Sequence, residues 1–274
     1  MNYVSFSPAR PLGDFVERLW HFSDAPAHGK ERIVPSGTVE IVINLREDEL
    51  RIYDVADPGR CRRFSGTVVS GAYSRCFVID TLEHASIIGA HFRPGGAFPF
   101  FGLPISELAD RHVGLETLWG AAAPELRERL CAAVTPAERF VLLEKTLASR
   151  LCRALERHYS VRFALDAFGQ AGSVPRVGRV AQDIGLSRRR FIEVFKQEVG
   201  MAPKMFCRVR RFQQALALTR RETEPDWAQL APECGYFDQS HFIQDFRAFS
   251  GLTPTQYVRQ RSERVLENHV PLAG

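Results

Sequence analysis

The 274-residue chain contains no run of about 18 apolar residues, so a membrane-spanning helix is not expected. Its opening, Met1-Asn2-Tyr3-Val4-Ser5, lacks a basic start followed by an apolar stretch. A secretory signal is therefore not expected, and the cytoplasm is the expected location. The six cysteines, Cys61, Cys76, Cys131, Cys152, Cys207 and Cys234, are scattered, with no CxxC pair. Disulfide frameworks belong to shorter, cysteine-dense secreted chains, so reduced thiols are the better reading. HxH and HxxxH spacings are missing too. His84, His91, Cys61 and Cys76 therefore do not compose a recognisable metal site, and no cofactor is expected.

Charge is unevenly spread. From Val174 to Arg264 there are 16 Lys and Arg against 10 Asp and Glu, whereas the rest of the chain has 20 against 22. The basic excess lies wholly in the C-terminal part, as expected where one domain meets a polyanion.

The first hundred residues read as β-rich. Short β-branched runs at Val39–Leu45, Gly66–Gly71, Cys76–Asp80 and Ala85–Phe92 are separated by turn residues, which suggests a sandwich or small barrel. Helical spacing begins near Pro104. It continues over Pro124–Leu130 and Pro136–Leu155, where Phe140, Leu143, Leu147, Leu151 and Leu155 share one face. Gly169-Gln170-Ala171-Gly172-Ser173 is the expected hinge. The predicted fold class is α+β. A barrel- or sandwich-like domain spans residues 1–165, with a helical linker from about 104, and an all-α domain spans 166–266.

The all-α part contains one pattern written twice. Val177, Val180, Ala181 and Ile184 lie on one helical face, Gly185-Leu186-Ser187 breaks it, and Phe191, Phe195, Gly200 and Pro203 follow. Trp227, Leu230, Ala231 and Cys234 repeat that spacing, then Gly235-Tyr236, Phe242, Phe246, Gly251 and Pro254. The first glycines are 50 residues apart and the later landmarks 51, so the second turn is one residue longer. This is helix, tight turn, helix. Gly leaves the first helix in a left-handed conformation, Ser187 or Asp238 caps the second, and the paired Phe residues anchor it with its other face free. The units occupy about 174–200 and 225–251, joined by a helix from about Pro203 to Thr219 that carries Arg208, Arg210 and Arg211. A free second-helix face on a basic domain suits a DNA major groove. Pro232 falls inside the first helix of the second unit, where a kink or a late helix start is expected.

These residues resemble the DNA-binding domain of the AraC/XylS family of bacterial transcription regulators. The resemblance covers about Val174 to Arg261. It is densest at Trp227-Ala228-Gln229-Leu230-Ala231, Asp238-Gln239-Ser240-His241-Phe242 and Phe249-Ser250-Gly251-Leu252-Thr253-Pro254. It implies two helix-turn-helix units in successive major-groove segments of double-stranded DNA, with RNA polymerase as a further partner. By resemblance, Arg189, Ile192 and Glu193 face bases in the first unit, and Gln239, Ser240, His241, Ile243 and Gln244 in the second. Arg188, Arg190, Lys196 and Lys204 are the expected phosphate contacts, which position the domain without reading sequence.

The N-terminal part more loosely resembles sensor domains of one branch of that family, through Val34–Asn44, His91–Ala97 and Leu118-Trp119-Gly120. That implies a small-molecule effector, a homodimer, or both. Trp20, Glu40, His91 and Arg93 are the candidate effector contacts, with Arg93 in the turn Arg93-Pro94-Gly95-Gly96 as an anion-binding fork. Trp20, Phe22, Phe98, Phe100 and Phe101 either line an apolar pocket or are plain core. The function expected is a non-enzymatic, effector-controlled transcription regulator, an activator by family. The alternatives are a regulator whose N-terminal domain only meets other proteins, and an enzyme fused to a DNA-targeting domain.

Overall fold

The computed structural model describes residues 2–23, 29–57, 59–81, 86–169, 176–220, 225–260 and 268–272. Two antiparallel sheets occupy the N-terminal part. One contains β1 (Asn2–Phe6), β2 (Val16–Ser23), β4 (Glu40–Asn44), β7 (Thr67–Ser70), β9 (Ser86–Phe92) and β10 (His112–Gly114), in the order β1-β2-β9-β4-β7-β10. The other contains β3 (Lys30–Ile33), β5 (Leu50–Tyr53), β6 (Cys61–Phe64), β8 (Phe77–Asp80) and a C-terminal strand, β11 (His269–Pro271), in the order β11-β3-β8-β5-β6.

The period-2 rule assigns the faces of the larger sheet. Leu19, Ile41, Ile43, Val69, Ile88, Ala90 and Phe92 point to one side and join the main core. Arg18, Trp20, Phe22, Glu40, Val42, Val68, Ser70, Ile87 and His91 point to the other, towards the smaller sheet. Helices α1 (Leu115–Trp119), α2 (Ala122–Ala132) and α3 (Pro136–Ser149) cover the core side with Trp119, Leu126, Leu130, Phe140 and Leu143. Arg139 of α3 donates to His21 Nε2 at 2.8 Å. Thr135 and Glu138 form a capping box at the start of α3.

The third helix is shorter than its apolar spacing predicts. It stops at Ser149, and Leu151 and Leu155 lie beyond it. There the chain turns back onto the N-terminal part: the Cys152 N–H donates to the Pro99 carbonyl and the Arg153 side chain to Phe101 O.

The predicted boundary at 165/166 falls inside α4 (Tyr159–Gly169). Phe168 of this helix packs against Phe195 and Phe206, so α4 belongs with the C-terminal helices. Beyond Gly169 the expected hinge lies outside the described residues. The helical part continues with α5 (Val177–Ile184), α6 (Arg188–Val199), α7 (Pro203–Thr219), α8 (Trp227–Glu233), α9 (Gln239–Ser250) and α10 (Pro254–Gln260).

One continuous core runs through both parts. Gly200, at φ 91°, ends α6 against the N-terminal part. A Cβ there would lie 2.9 Å from Ile105 Cγ2 and 3.0 Å from Ala72 Cβ. The chain then returns after α10 as β11, pairing antiparallel with β3 (His269 opposite Ile33, Pro271 opposite Glu31).

Candidate nucleic-acid interface and sensor cavity

The two repeats fold alike. Each first helix leaves through a left-handed glycine, Gly185 at φ 76° and Gly235 at φ 75°. In each, the next N–H reaches back five residues, Leu186 to Ala181 O and Tyr236 to Ala231 O, the Schellman closure of a helix end. Ser187 Oγ accepts from the Arg190 N–H at 3.2 Å, and Asp238 Oδ1 from the His241 N–H at 2.7 Å. Both second helices have 12 residues and end at a left-handed glycine, Gly200 or Gly251. Phe191, Phe195, Phe242 and Phe246 are fully buried.

Pro232 neither delays nor divides its helix. α8 starts at Trp227, the counterpart of Val177, capped by Asp226. Pro232 is the penultimate residue of this helix, so its missing N–H costs a single backbone bond near the end.

The outer face of α6 carries Arg188, Arg189, Arg190, Glu193 and Lys196, all exposed, with Ile192 half-buried. Arg189 and Glu193, both expected at bases, are paired with each other at 3.1 Å. Arg189 is 91% exposed, so the pair is worth little and opens readily for another partner. Lys204 is exposed in the first turn of α7. Between α5, α6 and α7 lies a cleft of about 740 Å³ edged by Arg176, Arg179, Arg188, Lys204, Arg208 and Arg211. The sequence reading passed over Arg176 and Arg179; their signal was two cations at the N-terminal end of α5, beside the Lys204 end of α7.

In the second unit Gln239, Ser240 and Gln244 are exposed on α9. His241 and Ile243 are half-buried. The His241 ring meets Tyr236 edge-on at 5.4 Å, and Ile243 packs on the core. Arg208 is no free cation: it clamps Asp245 of α9, with Nη2 to Oδ1 at 2.6 Å and Nε to Oδ1 at 3.2 Å. Arg211 Nη2 approaches Asp245 from 3.9 Å. The joining helix thus uses part of its basic charge to hold α9 in place.

The effector candidates divide. Trp20, Glu40 and His91 meet in a cavity of about 140 Å³ between the two sheets. Register brings them together: Arg18, His91, Glu40, Ser70 and His112 form one cross-strand row over β2, β9, β4, β7 and β10. The next row is Trp20, Gly89, Val42 and Val68. A Cβ at Gly89 would come within 2.5 Å of the Trp20 ring, so only glycine lets the indole lie across the strand. From there Trp20 Nε1 donates to Glu40 Oε1 at 2.8 Å. His91 Nδ1 lies 3.4 Å from the same oxygen, and its Nε2 lies 3.2 Å from Thr38 Oγ1.

Burial opposes ionisation of Glu40, but the His91 hydrogen bond and charge, Arg18 and the Trp20 N–H outweigh it and hold the carboxyl below its usual range. His112 is held down at about 3, mainly by burial and also by Arg62, so its ring is neutral. It bonds the Tyr73 hydroxyl and packs edge-on against Phe77.

Arg93 is a correction. It stands outside the cavity, where its Nε donates to Gly13 O at 2.8 Å and its carbonyl accepts from Gly96 N. The Pro-Gly-Gly sequence makes a turn that Arg93 fastens to the preceding loop. The aromatic set divides as well: Trp20 and Phe22 line the cavity, Phe100 and Phe101 are core, and Phe98 stacks under Arg153. Of the metal candidates, His84 lies outside the described residues. Among the described residues no three His, Cys, Asp or Glu side chains converge on a metal position. No helix among them is long and apolar enough to cross a membrane.

A family model described as a helix-turn-helix domain matches residues 180–260, and one described as a domain of unknown function, DUF6597, matches residues 4–114. An uncharacterized HTH-type transcriptional regulator of Haemophilus influenzae is 33% identical over 81 residues, covering 30% of this chain and 27% of that protein. The HTH-type transcriptional regulator Rv1931c of Mycobacterium tuberculosis is 33% identical over 90 residues, covering 32% and 34%. The chain thus spans about a third or less of the length of these relatives. Among solved structures, ToxT from Vibrio cholerae is similar over 88% of this chain and 95% of its own, at 8% identity and a TM-score of 0.45. The repeats, their caps and the family match over 180–260 agree: the C-terminal domain of this chain is a DNA-binding helix-turn-helix domain of the AraC type.

Proposed function

We propose that the protein is a sequence-specific transcription regulator whose DNA affinity is set by a small molecule bound between the N-terminal sheets. The carrying observation is the pair of matched second helices, α6 and α9. Both are anchored by buried Phe pairs, and both leave a polar face in solvent. Arg189 with Glu193, and Gln239, Ser240 and Gln244, read bases. Arg188, Arg190, Lys196 and Lys204 hold phosphates, joined by Arg176 and Arg179 along the cleft. Arg pairs with guanine and Gln with adenine through two hydrogen bonds each. The protein acts by binding rather than catalysis, in the cytoplasm, as a homodimeric activator working through RNA polymerase.

The test is selection of bound genomic fragments, followed by titration of the selected and scrambled duplexes at several salt concentrations. The selected duplex should bind at least about 10³-fold more tightly at physiological salt. Equal affinity for both would refute sequence-specific reading.

A further inference from the structure

The cavity between the sheets is polar along one row and apolar beyond it. The polar row centres on Glu40, whose Oε1 takes the Trp20 N–H and faces His91. Among the described residues no hydrogen bond reaches its Oε2. Arg18, whose charge also acts on Glu40, is engaged by Glu17 at 3.5 Å and by the Tyr3 hydroxyl. Arg51 is engaged by Glu49. An ionised carboxylate with an unused oxygen accepts hydrogen bonds and repels anions, so the polar end of a ligand here must donate. Trp20 beside it offers a π-face that attracts a cation. Opposite stand Leu50, Ile52, Phe77 and Ile79, which suit an apolar body. At about 140 Å³ the space is below the roughly 300–1,000 Å³ of pockets for drug-sized molecules, so the ligand is compact.

The last wall comes from the other end of the chain. Asn268 and His269 line the same cavity. They are held there because β11 is paired with β3, with Val34 N bonded to Asn268 O and Leu272 N to Lys30 O, both at 2.9 Å. His269 Nδ1 meets Glu31 Oε2 at 2.8 Å, and Val270 is buried in the core. Gln213, on the helix joining the two DNA-binding units, donates to Asn268 Oδ1 at 3.0 Å and to the carbonyl of Pro35, a second cavity residue, at 2.7 Å.

We propose that this cavity is a composite site for a compact amine with an apolar body, with Glu40 taking the ammonium group. β11 forms its C-terminal wall, and Gln213 passes its occupancy to the DNA-binding domain. The inference rests on the regulator reading above only for its final step.

Full-length protein is titrated calorimetrically with phenethylamine, 2-phenylethanol and 3-phenylpropanoate. The amine should bind at least about tenfold more tightly than either isostere, and Glu40→Gln should erase that preference. Tighter binding of the acid or the alcohol, no binding of the amine, or an amine preference that survives Glu40→Gln overturns the ligand class. Asn268→Ala should weaken the amine severalfold although it lies outside the N-terminal domain; unchanged affinity overturns the composite wall. Titration of the selected DNA with and without phenethylamine follows. The amine should change DNA affinity in wild type and fail to do so in Gln213→Ala, with folding of that variant checked by circular dichroism. An equal change in both proteins overturns the route through Gln213. DNA selectivity measured without amine reports on the regulator reading separately: loss of amine binding with selectivity intact sinks only the present inference, and the reverse sinks only that reading.

Discussion

Asp245→Asn tests whether the joining helix α7 holds the second DNA-binding unit by charge. Asp245 is 6% exposed and takes both Nε and Nη2 of Arg208, with Arg211 and His241 at 3.9 and 4.0 Å. The substitution keeps the volume and removes the negative charge. Breaking a fully buried ion pair from one side costs about 3–5 kcal/mol, because the surviving charge is left unpaired. Arg208 is 31% exposed, so water recovers part of that, and a loss of about 2–3 kcal/mol is expected. Urea unfolding at neutral pH measures it. A double-mutant cycle with Arg208→Gln should then return a coupling of about 2 kcal/mol, since each single change already removes the pair. The expected binding defect is confined to base pairs read by α9, whose position the pair fixes. An Asp245→Asn protein within about 0.5 kcal/mol of wild type would refute the claim that this pair organises the unit.

Phe195→Ala and Phe246→Ala should each lose about 3–5 kcal/mol, since both rings are fully buried. A wild-type melting midpoint for either would show that face is not packed. His112 is held near 3 in the fold, against about 6.5 unfolded. The unfolded chain therefore takes up the extra proton first: His112 adds no pH-dependent loss above about 6.5, and stability falls as the pH drops from there towards 3. Between pH 7 and about pH 4.5 this costs about 2–3 kcal/mol, and His112→Phe should flatten that part of the profile; an unchanged slope would count against a neutral buried ring. Arg189→Ala should lose about 1–3 kcal/mol on the selected duplex and relax one base pair, while Lys196→Ala should weaken all sequences alike and lower the salt slope by about 1. Equal weakening of both duplexes by Arg189→Ala would move that helix face out of the groove.

The features that could be read in the sequence are those with local causes. Gly185 and Gly235, the caps Ser187 and Asp238, the Phe pairs and the bounds Pro203–Thr219 each depend on a few neighbouring residues, and all stand where expected. Strands β4, β7, β8 and β9 lie within the expected β-branched runs. β2 gave no such signal because both its faces are covered: Leu19 goes to the core and Trp20 to the cavity, so polarity does not alternate cleanly. The cavity itself depends on register. Glu40 lies opposite His91 only because β4 pairs with β9 as it does, and the role of Gly89 depends on a ring from another strand. Arg93 misled because a Pro-Gly-Gly turn and an anion loop share the same residues. β11 is three residues long, and His269 meets a partner 238 positions earlier, a pairing that leaves no local trace.

A control element must have two discrete states, and β11 has the properties for this. Strand pairing has period 2, so a one-residue slip would carry Val270 from the core to the opposite face. β11 is therefore either paired in register or released, with little between. A ligand can shift that equilibrium only by its differential affinity for the two states. Contacts to Trp20 and Glu40 alone, which lie in the larger sheet, would be equal in both states and would move nothing, however tight. Contacts to Asn268 and His269 exist only while β11 is paired. Moving the balance from 1:99 to 99:1 takes about 5.5 kcal/mol of such difference, a demanding sum for a compact ligand. For the proposed ligand the expected output is thus a partial shift, a graded change in DNA affinity rather than an on-off response. By the same logic the proposed amine, touching Asn268 and His269, would stabilise the paired strand, and with it the docked arrangement of the DNA-binding domain that Gln213 and Gly200 hold against the N-terminal part.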